Sequence, residues 1–183
     1  MPKIIATKED WINLGYKTFS EEGEKGIIVE KMAIKLKVNK SSFYWHFKTR
    51  KHFISDLTMF WVTNATEQII YLTNIRKTAK EKVKTLVSLI YKKDPYFDFF
   101  FFLKRYAQKE KKIQEVIDSI EKKRIEYAKD LLMELGYSKK EASIKSAILY
   151  KHFLAYHEII RYKKQSNNYE QEVKEEINQF IKY

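Results

Sequence analysis

The sequence predicts an all-α protein, on three observations. Only four glycines and two prolines punctuate 183 residues. No period-two alternation of apolar and polar residues is sustained, as a half-buried strand would need. Apolar residues recur instead at helical spacing, as at Val29, Met32, Ala33 and Leu36.

The first helix is expected over Lys8–Glu22, capped by Thr7, with Trp11, Leu14, Gly15 and Phe19 on one face. Gly15 in mid-helix costs about 1 kcal/mol relative to alanine, so a second helix is expected to pack closely there. The second helix is expected over Val29–Lys37, with Lys31 and Lys35 on its outer face. A short third helix, Lys40–His46, follows with Asn39 as its cap, because an Asn side chain accepts from the free N–H groups of a first turn. A long fourth helix is expected from Arg50 or Lys51 to about Leu72, capped by Thr49.

Composition bounds the function. An apolar content of 44% is that of a globular chain. The absence of cysteine removes disulfides, thiolate metal sites and cysteine nucleophiles, and fits a reducing compartment. No N-terminal segment reads as a signal peptide, and the longest apolar cluster, Phe99–Leu103, is too short to span a bilayer. A cytoplasmic protein with no membrane partner is expected. No metal or catalytic constellation is expected either. His46 has no acidic residue at ligand spacing, and His152 and His157 would point about 140° apart on a helix.

A net charge of +12 permits an anionic partner, but lysine is spread along the whole chain. Residues 31–51 stand apart: six lysines, one arginine and no acid, or +7 in 21 residues. Within this run lies FYWHF, residues 43–47. Phe43 and Phe47, four apart, are expected to point inward. Three short helices, the last two joined by a tight turn, form a helix-turn-helix, whose last helix suits the major groove of DNA. Ser41 and Ser42 are small enough for close approach, and Lys40 and His46 can donate to purine acceptors. Lys48 and Arg50 sit where the chain would leave the groove, beside the positive dipole end of the fourth helix.

Residues 8–58 resemble the DNA-binding domain of the tetracycline-repressor (TetR) family of bacterial regulators. The resemblance is carried by Phe19, Gly23, Met32-Ala33, Val38, Phe43-Tyr44-Trp45-His46-Phe47, Arg50 and Phe53. It also rests on LLMELGYSKKEA (131–142), which is similar to the helix–Gly–helix junction before that family's dimerising helices. The chain differs in carrying Lys37 where a glycine is usual, Arg50 where a lysine is usual, and Ile27-Ile28-Val29 where a Ser or Thr cap usually opens the second helix.

The resemblance implies a helix-turn-helix domain, residues 1–50, and a helical effector-binding and dimerising domain, residues 51–183. It makes Asn39, Lys40, Ser41, Ser42, Tyr44, Trp45, His46, Lys48 and Arg50 the candidate DNA interface. Tyr44 and Trp45 would touch DNA; the alternative is that their rings lie on the fourth helix. It places a small-molecule effector pocket among Tyr96, Phe97, Phe100, Phe101, Tyr127, Tyr150, Phe153 and Tyr156. Ordinary core is the alternative for these. It pairs the helices at about Lys139–Tyr162 and Asn168–Ile181 with their copies in a homodimer, through Ile144, Ile148, Val173 and Ile177. The alternative there is packing within the chain.

The function implied is a ligand-responsive transcriptional regulator, a repressor that binds a palindromic double-stranded operator as a homodimer. An effector, apolar or aromatic, would shift the fourth helix and take the two reading helices off the roughly 34 Å repeat of one DNA turn. Three other readings remain: a helical lipid- or small-molecule-binding protein whose N-terminal domain does not read DNA, non-specific nucleic-acid binding through lysines, and an enzyme, which no constellation supports. No cofactor is expected.

Overall fold

A computed structural model describes residues 6–92, 94–96, 98–163 and 165–183. Ten α-helices occur among them, with one 3-10 turn, one π-helical turn and no strand. They are α1 (Lys8–Glu22), α2 (Val29–Lys35), α3 (Ser41–Phe47), α4 (Arg50–Val62), α5 (Gln68–Asn74), α6 (Ala79–Ile90), α7 (Asp98–Ala107), α8 (Lys111–Glu134), α9 (Lys139–Tyr162) and α10 (Tyr169–Ile177).

The chain divides into two compact units: that ending at Thr63 together with Asp94–Ile117, and Asn64–Lys93 together with Asp118–Tyr183. This differs from the 50/51 boundary expected from sequence. The reason lies in α4, whose Phe53, Ile54, Leu57 and Trp61 are buried in the first unit. The helix that follows α3 is thus part of the first unit's core.

In the first unit, α1 begins as expected. Thr7 Oγ1 accepts from Asp10 N, and the Asp10 carboxylate accepts from the Thr7 N–H, a reciprocal capping box. The Thr7 hydroxyl also donates to that carboxylate at 2.7 Å, and this bond first, then the one from the Thr7 N–H, holds the Asp10 carboxyl below its usual range. Gly15 lets α4 approach: a Cβ there would lie 2.2 Å from Phe53 Cζ and 3.2 Å from Leu57 Cδ2. Trp11, Phe19, Phe43 and Phe53 are fully buried. The Phe43 ring stands edge-on to Trp11 and Phe53, centroids 5.2 and 5.1 Å away, the geometry that ring quadrupoles favour. On the other flank of α1, Tyr16 stacks on Phe99 of α7 at 4.3 Å.

Helix α2 ends two residues earlier than expected, because Lys37 takes a left-handed conformation with φ +57°. Asn39 does accept at the start of the next helix, from Ser41 N at 2.9 Å, although the helix opens at Ser41 rather than Lys40. Lys48 ends α3, also with positive φ, and Thr49 caps α4 by accepting from His52 N at 3.1 Å. The fourth helix does not run regularly to Leu72. A π turn, Thr63–Glu67, interrupts it.

In the second unit, capping boxes at Thr78/Glu81 and Ser138/Glu141 start α6 and α9. The core joins Val83, Val87 and Tyr91 with Leu131, Leu132, Ala142, Leu149, Val173, Ile177 and Ile181. Arg124 of α8 donates from Nη2 to the carbonyl of Ala65 at 3.0 Å and to Thr66 Oγ1 at 2.8 Å, satisfying acceptors in the widened turn. A polar chain runs from Tyr91 through His152 to Glu176, at 2.7 and 3.0 Å.

Two residues expected at the dimer interface lie elsewhere. Val173 and Ile177 are buried in the core of their own unit, against α6, α8 and α9. The stripe of α10 is therefore spent within the chain and is not free to meet a second copy. Ile144 and Ile148 of α9 are 54% and 40% exposed.

Candidate nucleic-acid interface

Helix α3 is seven residues long, about two turns. Phe43 and Phe47 point inward as expected, buried against Phe53. The opposite face is Ser41, Tyr44, Trp45 and Lys48, at i, i+3, i+4 and i+7, all exposed. Trp45 is 80% exposed and Tyr44 44%. Neither is hidden on the fourth helix. An indole this open contrasts with Phe43 and Phe47 on the same helix, which are buried.

Ser42 and His46 differ from expectation. Both are half-buried and face the start of α1 rather than solvent. The Trp11 indole N–H donates to Ser42 Oγ at 3.2 Å, and His46 Nε2–H donates to the carbonyl of Ala6 at 3.0 Å. These two side chains dock α3 onto the start of α1 and onto Ala6 just before it. Both side chains therefore make hydrogen bonds within the chain.

The cations around α3 fall into two sets. Lys40 Nζ donates to Glu30 at 3.2 Å, Arg50 Nη2 donates to the carbonyl of Glu24 at 3.1 Å, and Lys51 pairs with Glu110 at 2.6 Å. The Glu30 carboxyl is held below its usual range, first by its own backbone N–H and then by Lys40. Lys37 and Lys48 have exposed side chains that take up none of these bonds. Asn39 is exposed and its side chain is used in the turn.

One exposed apolar residue lies outside every set expected from sequence. Ile34 of α2 is 76% exposed, between the exposed Lys31 and Lys35. The signal was present: the inner stripe of α2 is Val29, Met32, Ala33 and Leu36, and Ile34 is off it.

The expected effector residues divide between the units. In the first, Tyr96 lies edge-on to Tyr16 at 5.3 Å, Phe100 stacks on Trp61 at 4.9 Å, and Phe101 lies under Arg105. Phe97 lies outside the described residues. In the second, Tyr127 donates to Asn74 at 2.7 Å and Tyr150 to Glu121 at 3.0 Å, while Phe153 and Tyr156 stand edge-on to Tyr91. Burial pushes the Tyr150 phenol well above its usual range. No helix among the described residues is long and apolar enough to cross a membrane, and no group of three metal-ligating side chains occurs among them.

No known family profile and no curated protein sequence matches the chain. Solved structures do. A transcriptional regulator from Rhodococcus sp. Rha1 superposes with a TM-score of 0.79 at 13% identity, over 96% of each chain. A TetR/AcrR-type regulator gives 0.79 at 13% identity, over 95% of this chain and 97% of its own. AibR, solved in complex with isovaleryl coenzyme A and operator DNA, gives 0.69 at 12% identity, over 96% of this chain and 98% of its own. The similarity spans nearly the whole length in each case, and the chain therefore has the all-α fold of the TetR/AcrR transcriptional regulators.

Proposed function

We propose that the chain is a ligand-responsive transcriptional regulator that binds double-stranded operator DNA through the face of α3 formed by Ser41, Tyr44, Trp45 and Lys48. The observation that carries this reading is the exposed Tyr44–Trp45 pair, on a short helix backed by buried phenylalanines and surrounded by lysines. A tyrosine hydroxyl can bond a phosphate or a base edge, and an indole can pack on sugar or a thymine methyl. Ile34 offers a second apolar contact beside Lys31 and Lys35. Lys40 and Arg50 reach phosphates by leaving their partners within the chain, which costs little at an exposed site.

One seven-residue helix makes few base contacts, so two copies on a palindromic operator complete the site. Ile144 and Ile148 of α9 are the residues through which the homodimer forms. A small apolar or aromatic effector, bound among the aromatic side chains beyond the reading segment, releases the DNA, so the regulator acts as a repressor in the cytoplasm. The neighbour AibR, solved with both a ligand and operator DNA, supports this pairing of roles.

The test is binding of the chain to the DNA upstream of its own gene, beside scrambled DNA of equal length. The expected result is a footprint of two half-sites about one helical turn apart, lost in Trp45→Ala without loss of folding. Equal binding to both DNAs would leave only an electrostatic grip.

A further inference from the structure

Two turns of this chain close with the same hydrogen bonds and different residues. At the end of α8, Gly136 N donates to the carbonyl of Met133 at 3.0 Å and Tyr137 N to that of Leu132 at 3.1 Å, with Gly136 at φ +106°. At the end of α2, Lys37 N donates to the carbonyl of Ile34 at 3.0 Å and Val38 N to that of Ala33 at 3.0 Å, with Lys37 at φ +57°. Both are Schellman closures, whose left-handed residue is usually glycine because a Cβ there crowds the backbone. The chain uses glycine in one and lysine in the other.

The non-glycine residues with positive φ among the described residues are Lys37 and Lys48. They bracket α3, one before it and one after. Both are exposed, and among the described residues neither ammonium has a hydrogen-bond or ion-pair partner. Strained backbone persists where something other than stability retains it. The negative end of the α2 dipole would favour a cation here, but Lys35 already occupies the last turn of that helix.

We infer that Lys37 is a further phosphate contact of the DNA interface, an unpartnered cation kept at a left-handed position that suits glycine, so that Lys37 and Lys48 grip the duplex backbone from both sides of the reading face. This rests on the DNA-binding reading above. It implies that the turn before α3 is less stable than the chain could make it.

The test uses the full chain, its Lys37→Gly and Lys37→Arg variants, and a mixed-sequence DNA duplex, so no operator need be known. Thermal unfolding is measured alongside affinity over a range of salt concentrations. Lys37→Gly is expected to melt about 2–4 °C higher and to lower the log–log salt slope by about one unit. Lys37→Arg should keep the wild-type slope and melting temperature. A Lys37→Gly protein with the wild-type salt slope, or one that melts lower, overturns the inference while leaving DNA binding intact. Wild-type protein with no salt-dependent binding to any duplex overturns the DNA reading, and this inference with it.

Discussion

Gly15 and Phe53 share a space that would not hold one more carbon: a Cβ on Gly15 would come within 2.2 Å of the Phe53 ring. That ring cannot easily turn away, because it is fully buried and packed by Phe43 and Phe47. Gly15→Ala gains about 1 kcal/mol of helix propensity but meets an overpacking cost of about 1–3 kcal/mol. Net destabilisation is expected in urea unfolding. Combining it with Phe53→Leu should recover part of the loss. A Gly15→Ala protein more stable than wild type would show that α1 and α4 can separate.

Phe43 and Trp45 are two residues apart and should behave oppositely. Phe43→Ala empties a buried site and is expected to cost about 3–5 kcal/mol of stability. Trp45→Ala should leave the melting temperature within a degree or so and abolish operator preference. Thermal unfolding and operator binding on both variants decide it. A Trp45→Ala protein that still selects its operator removes the indole from the interface.

Glu30 holds Lys40 in the free protein. Glu30→Gln removes a negative charge beside the reading helix and frees that lysine. DNA affinity at low salt should rise roughly two- to five-fold, the range of an exposed ion pair, and the gain should fade as salt screens it. Fluorescence anisotropy at low and high salt reads both effects. An unchanged affinity at low salt would place Lys40 away from the phosphates.

The exposed isoleucines of α9 and the buried ones of α10 predict different outcomes. The wild type is expected to sediment near twice 22.1 kDa and Ile148→Glu as a folded monomer. Ile177→Ala should instead lower stability by about 2–5 kcal/mol. An Ile148→Glu protein that remains dimeric would move the dimer interface off this face of α9.

Tyr106 makes alkali a probe of the first unit. Burial, with Glu110 and Glu24 nearby, pushes its phenol up to about 12, against about 10 in an unfolded chain. The folded state then holds a proton that the unfolded state has released. The stabilisation is complete below about pH 10 and is lost as pH rises towards 12. Helical circular dichroism should fall over that window, and Tyr106→Phe should flatten the dependence. Identical alkaline profiles for the two proteins would assign the transition elsewhere.

Much of the first unit was legible because its signals are local. The Thr7 cap and the Phe43–Phe47 pair each act within a turn or two of the chain, and a glycine in mid-helix is itself the sign of a close neighbour. The early end of α2 was not, since it depends on Lys37 tolerating a positive φ, which no lysine advertises. The π turn at Thr63–Glu67 was also invisible: its acceptors are met by Arg124, far along the sequence. Ser42 and His46 read as surface residues because small polar and imidazole side chains suit either environment, and the carbonyl of Ala6 decides the matter. The stripe of α10 had the right period for a partner of either kind. Only the core around Val83 and Leu132 shows that its partner is its own chain.

The second unit joins Val83 to Ile181 in one core. On a ribosome, that core cannot close until residue 181 has left the exit tunnel. The first unit needs nothing beyond Ile117. Helix α3 can therefore be packed while α9 and α10 are still being synthesised, and for that interval the apolar faces of α6 and α8 wait without their partners. Synthesis at about 5–20 residues per second makes that wait a matter of seconds, during which exposed apolar surface is open to aggregation.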